Sequence, residues 1–133
     1  MNRVASCISV CAFTCFASPL SAAPADLVAK FSCDGEWKIY EGTTPGTYKL
    51  RGIYVEVRGH QLRVNGAGSF DDAYQEMRSD ERLMFFRHPS DSLFEGNLNR
   101  INGDFWLVRW VDERKTKAAS SISAECRPYK PLF

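Results

Sequence analysis

The chain has 133 residues, of which 17 are Lys or Arg and 16 are Asp or Glu, for a formal net charge of +1. Its arginines are interleaved with acids, which excludes the clustered cations from which nucleic-acid binding draws most of its affinity. The length admits one domain with a modest core.

Arg3 precedes an uncharged run from Val4 to Leu20 and then small residues, the order that signal peptidase reads. Pro19 breaks the apolar run, and Ala23-Pro24-Ala25 supplies an A-x-A site, with Ala22 as a second acceptable cut. The reading is a signal peptide over 1–25 and a single β domain over 26–133. The apolar run is about 17 residues and carries Ser, Thr and Pro, fewer than the roughly 20 needed to span a bilayer. The mature chain is expected to be secreted or periplasmic, without stable membrane insertion.

Of five cysteines, Cys7, Cys11 and Cys15 leave with the leader, so an odd count becomes the pair Cys33 and Cys126. In an oxidising compartment two such cysteines are expected to be bridged. Closing a loop of about 94 residues restricts the unfolded chain by roughly 4 to 5 kcal/mol in the chain-entropy picture. Losing Arg3 also brings the mature formal charge to zero.

In chain order, Phe31, Cys33, Trp37 and Ile39 share one parity and predict a first strand with an inward cysteine. Thr43-Thr44-Pro45-Gly46 has the chemistry of a turn. Tyr48 and Leu50 have the opposite parity to Ile53, which predicts a bulge or bend at Gly52. Ile53, Val55 and Val57 alternate with polar residues, and the alternation resumes at Leu62 and Val64 after Arg58-Gly59-His60-Gln61, a hairpin. Arg82 to His88 is a further strand, stopped by Pro89. Asn102-Gly103, the favoured type I′ dipeptide, predicts a hairpin between Leu93–Ile101 and Asp104–Val111. With those two residues as the loop, Leu98 faces Leu107, Gly96 faces Arg109, Phe94 faces Val111, Asn99 faces Trp106 and Asn97 faces Val108. One face is then Phe94, Leu98, Phe105, Leu107 and Val111, interrupted by Arg109, and the other holds Trp106, Val108 and Trp110 against Glu95, Asn97, Asn99 and Ile101. Asp112 to Ser121 reads as a long loop or short helix. Ile122, Ala124 and Cys126 form a last strand, and Arg127 to Pro131 an extended tail. The whole predicts an all-β fold, a small antiparallel barrel or sandwich of about seven or eight strands, with the Cys33–Cys126 disulfide bridging first and last strands.

Catalytic chemistry finds little support. His60 lies at a predicted hairpin turn and His88 at a strand end, neither within a motif. No Gly-x-Ser-x-Gly is present, and Ser90-Asp91-Ser92 reads as a turn rather than as part of a triad. With both mature cysteines paired, no zinc set remains. Asp71, Asp72 and Glu76 lack the ligand spacing of a calcium loop. The chain is read as a monomeric, non-catalytic domain with no metal and no cofactor.

The remaining signals are surfaces. With nine Phe, five Tyr and three Trp in the chain, an aromatic strand face or the barrel interior is a candidate site for a small apolar ligand, a glycan or a protein. Trp106, Trp110, Arg109, Asn97 and Asn99 are its residues, with Arg109 opposite Gly96 as the polar anchor of an apolar pocket. The two tryptophans either form an outward patch or are covered by neighbouring structure. A second candidate is the segment Gly66-Ala67-Gly68-Ser69-Phe70-Asp71-Asp72-Ala73-Tyr74, a loop that ends on a tyrosine. Together with the signal, the start Phe31-Ser32-Cys33-Asp34-Gly35 and the late Cys126, it resembles in layout the small exported β-barrel inhibitors of c-type lysozyme. The likeness covers short segments, and that family's Ser-Gly-Ser-like loop core is not reproduced. It implies an inhibitor of an extracytoplasmic enzyme acting through Ser69, Asp71, Asp72 and Tyr74, with the acids meeting a basic partner.

Overall fold

The computed structural model describes residues 28–129, and the expected signal peptide over 1–25, with its expected cleavage sites, and residues 130–133 lie outside them. Eight strands run in simple up-and-down order: β1 (Val28–Ile39), β2 (Gly46–Arg58), β3 (Gln61–Asn65), β4 (Asp72–Ser79), β5 (Leu83–Arg87), β6 (Phe94–Asn99), β7 (Asp104–Trp110) and β8 (Ala118–Pro128). Each pairs antiparallel with the next, and β8 returns to β1, so the sheet closes into a barrel without a free edge. Closure selects the barrel over the sandwich.

Alternation along the strands dictates what lies inside. Ile53 and Val55 on β2, Leu62 and Val64 on β3, Met84 and Phe86 on β5, and Phe105 and Leu107 on β7 all belong to one buried core. The positions between them, Tyr54, Arg63, Phe85 and Trp106, point to the outer side, which is mixed in character: Glu56 and Gln75 are polar there, while Phe85 and Trp106 are half-buried aromatics.

The seam is the β1–β8 ladder, in which Cys33 lies directly opposite Cys126. The two are joined by the disulfide, with Cα atoms 4.0 Å apart, and both face the core. The seam also demands glycine at position 35, because a Cβ there would stand 2.1 Å from the Ser123 carbonyl oxygen. The bend expected at Gly52 is present. The β1–β2 register shifts between Cys33 and Gly35, Gly52 adopts φ +69°, and its N–H donates to Asp34 Oδ1 at 2.8 Å. The parity change between Leu50 and Ile53 is thus a bulge, and it keeps apolar side chains of both halves of β2 inward. Arg127 adds a second bond to Asp34 across the seam at 2.7 Å.

Two expectations are corrected. The β6–β7 register differs by two residues from a two-residue Asn102-Gly103 loop: Leu98 pairs with Phe105, Gly96 with Leu107 and Phe94 with Arg109. A type I′ turn needs positive φ at both central residues, but only Gly103 takes it, at +81°. Asn99 decides the matter, since its Oδ1 accepts from the backbone of Ile101 at 2.9 Å and of Asn102 at 3.2 Å, which holds a longer loop. A shift of two leaves every strand side chain on its expected face. Second, β8 begins at Ala118 and β7 stops at Trp110. Val111 is therefore an exposed loop residue rather than core, and Ala118 to Ser121 are strand rather than loop or helix.

Candidate functional site

One barrel end is plugged. After β3 the chain turns through Gly66 (φ +86°), Ala67 and Gly68 (φ +61°) into a single 3₁₀ turn, Gly68–Phe70, before entering β4. Glycine is required at 66 and 68 because left-handed φ strains other residues. Phe70 is fully buried and meets Phe94 edge-on, ring centroids 5.7 Å apart. Asp71 Oδ1 accepts from the Ala67 N–H at 2.6 Å, and the Tyr74 hydroxyl donates to the Phe70 carbonyl at 2.6 Å. Burial pushes the Tyr74 phenol upward, so it remains a neutral donor. The loop is thus braced from beneath at both ends, while Ser69, Asp71 and Asp72 remain exposed.

The sequence-predicted loop residues divide accordingly. Ser69 stands at the tip, Asp71 and Asp72 flank it, and Tyr74 lies in the core as a support, 1% exposed. Asp72 has a partner that sequence reading missed: its Oδ2 lies 2.6 Å from His88 Nε2. The signal was parity, since Asp72 precedes inward Tyr74 by two and His88 follows inward Phe86 by two on the adjacent strand. His88 packs edge-on against Tyr74 at 5.8 Å. Its Nδ1 accepts the Ser90 backbone N–H at 3.1 Å, which places the ring proton on Nε2, toward Asp72. Ser90 Oγ lies 3.2 Å from the same Nδ1, so the serine side chain shares that lone pair with its own backbone.

The hydrogen bond from His88 is the main cause of an Asp72 carboxyl held below the ordinary carboxylate range, with a further bond from the Ala73 N–H. A depressed folded-state pKa contributes stability above the unfolded value, about 4 for Asp, and loses it as pH falls through the folded one. Urea midpoints measured from neutral to acid pH are expected to show a shallower acid limb for Asp72→Asn than for the parent. Identical limbs would remove the pair from the account of this barrel end.

The aromatic face of β7 is built differently from a free patch. Trp106 and Trp110 are half-buried on the outer side and meet edge-to-face at 6.2 Å. Val108 between them is fully buried. Trp110 Nε1 donates to Glu95 Oε1 at 2.9 Å, and Lys115 Nζ reaches Glu95 Oε2 at 2.8 Å. Burial opposes the Glu95 charge, but these two donors prevail, and its pKa lies below the ordinary value. Asn97 is half-buried opposite Trp106. Asn99 is buried and caps the β6–β7 loop. Arg109 does not face Gly96. It is exposed at the plugged end, paired with Phe94 and Ser120.

Among the described residues no group of three or more His, Cys, Asp or Glu converges as a metal site. No helix there is long and apolar enough to cross a membrane. Comparison with protein-family models, curated proteins and solved structures finds no match for this chain.

Proposed function

We propose that this is a non-catalytic interaction domain, working outside the cytoplasm, that inhibits an extracytoplasmic enzyme of the lysozyme type through the loop at its plugged end. The observation that supports this reading is the loop's construction: an exposed tip at Ser69, two exposed acids beside it, and a base locked by Phe70, Tyr74 and the Asp71–Ala67 bond. A loop ordered before contact loses little conformational entropy on binding, and such preorganisation favours tight association. The acids complement a cationic partner and raise its rate of encounter. The seam disulfide fits an oxidising compartment. The Trp106–Trp110 face supports binding less well, since Trp110 Nε1 is engaged by Glu95 and Val108 between the two tryptophans is fully buried.

The test is clearance of bacterial cell walls by a c-type lysozyme, followed as turbidity. The purified domain is expected to slow clearance. Asp71→Asn with Asp72→Asn, which removes charge while retaining an acceptor oxygen, is expected to weaken inhibition about ten-fold, equivalent to about 1.4 kcal/mol. Ser69→Trp is expected to abolish it with the melting temperature unchanged. Undiminished clearance in the presence of excess domain would end this reading.

A further inference from the structure

The opposite end of the barrel is hollow. At the plugged end Trp37, Phe70 and Phe94 fill the interior. At the other end the inward positions include Ala29 and Gly59, and a cavity of about 460 Å³ opens between the strands beneath the loop Asn99–Gly103. Its walls include Phe31, Val57, Met84, Leu98 and Cys126, all apolar. The volume falls in the range of small-molecule pockets, and the mouth of an eight-stranded barrel is a recurrent place for one ligand.

The rim bears on the chemistry of that ligand. Several of its polar groups are turned to one another: Asn99 Oδ1 holds two loop N–H groups, the Asn102 side chain is engaged with Asp104 through both amide atoms at 3.0 and 2.9 Å, and the Gly103 carbonyl accepts from Cys126 N–H at 2.8 Å. Arg100, the only charged residue of the lining among the described residues, directs its guanidinium to Ser79 Oγ at 3.2 Å and toward Glu76 at 3.9 Å. An ion entering this cavity would give up its hydration for walls dominated by Phe31, Val57, Met84, Leu98 and Cys126, at a cost of several kcal/mol. Ile101, 72% exposed at the lip, extends the apolar surface outward. The structure assigns this mouth as a binding site for an uncharged, hydrocarbon-rich small molecule, separate from the enzyme-facing loop and independent of it.

The experiment uses the mature protein and the neutral dye phenylnaphthylamine, which fluoresces in apolar surroundings. Saturable binding is expected, with decanol displacing the dye at a concentration at least ten-fold below that needed with decanoate or decylammonium. Ala29→Trp narrows the mouth at a lining position that is itself solvent-exposed. It is expected to weaken dye binding at least ten-fold while melting temperature and lysozyme inhibition stay unchanged. Ser69→Trp is expected to do the reverse, so failure of this site and failure of the loop reading are distinguishable. No saturable binding, equal displacement by the charged amphiphiles, or binding unaltered in Ala29→Trp would each overturn the assignment. So would dye binding that appears only after residues 130–133 are removed, which would make the chain's own tail the occupant.

Discussion

Replacing both Cys33 and Cys126 with alanine is expected to lower the melting temperature by on the order of 20 °C while leaving the barrel intact. The estimate follows from a bridge spanning 93 residues of sequence. Its loss frees the unfolded chain by roughly 4 to 5 kcal/mol, and a domain of this size shifts by about 4 to 8 °C for each kcal/mol. The fold itself survives because the seam does not depend on sulfur alone: residues Phe31–Ile39 pair continuously with Ser120–Pro128, and Asp34 binds Arg127 across it. Small natural domains hold about 5 to 15 kcal/mol in total, so the variant loses a large fraction of its margin. Circular dichroism melts with and without the bridge check this. A fall of only a few degrees would mean that the reduced chain already holds its ends together when unfolded.

The second large effect is expected at Phe70. Phe70→Ala removes a fully buried ring from the end of the core and is expected to cost about 3 to 5 kcal/mol, the transfer loss plus the cavity left behind. The position also carries the loop. Without the ring, the Phe70 carbonyl that receives the Tyr74 hydroxyl is no longer held in place, and Ser69 loses its platform. Inhibition of the lysozyme is therefore expected to fall further than the remaining folded fraction explains. Phe70→Leu, which restores most of the volume, is expected to recover most of both. Denaturant titrations beside the turbidity assay separate the two effects. A Phe70→Ala protein of near-parental stability and full inhibition would show that the plug neither stabilises the barrel nor shapes the loop.

Much of this fold was legible because strand parity is a strict code. The Ile53–Val57 and Leu62–Val64 hairpin, the bulge at Gly52 and the inward cysteines of β1 and β8 all follow from period-two alternation and the positions where it breaks. The β6–β7 register was not legible, because two local devices competed for one segment. Asn102-Gly103 suits a two-residue turn, but Asn99 offers its side chain to the loop backbone, and a side-chain acceptor three residues earlier leaves no mark in a search for turn dipeptides. The two-residue shift pairs the exposed Arg109 with Phe94 rather than with Gly96. At the loop, Ser69, Asp71 and Asp72 were found as exposed residues, whereas Tyr74 proved to be its support. The His88–Asp72 pair was not legible as a motif because the two lie 16 residues apart and meet only through the β4–β5 pairing, whose register is shifted by a bulge between Glu76 and Arg78. The hollow mouth left no motif at all, since a cavity is written in residues that are too small.

Pairing the first strand with the last also governs when this domain can exist. β1 can form a hairpin with β2 early, but its other flank stays bare until β8 arrives across nearly the whole domain, and such remote closure makes folding slow relative to local contacts. Until the last strand has been made, β1 keeps one open flank, so no fragment that ends short of β8 can close the barrel.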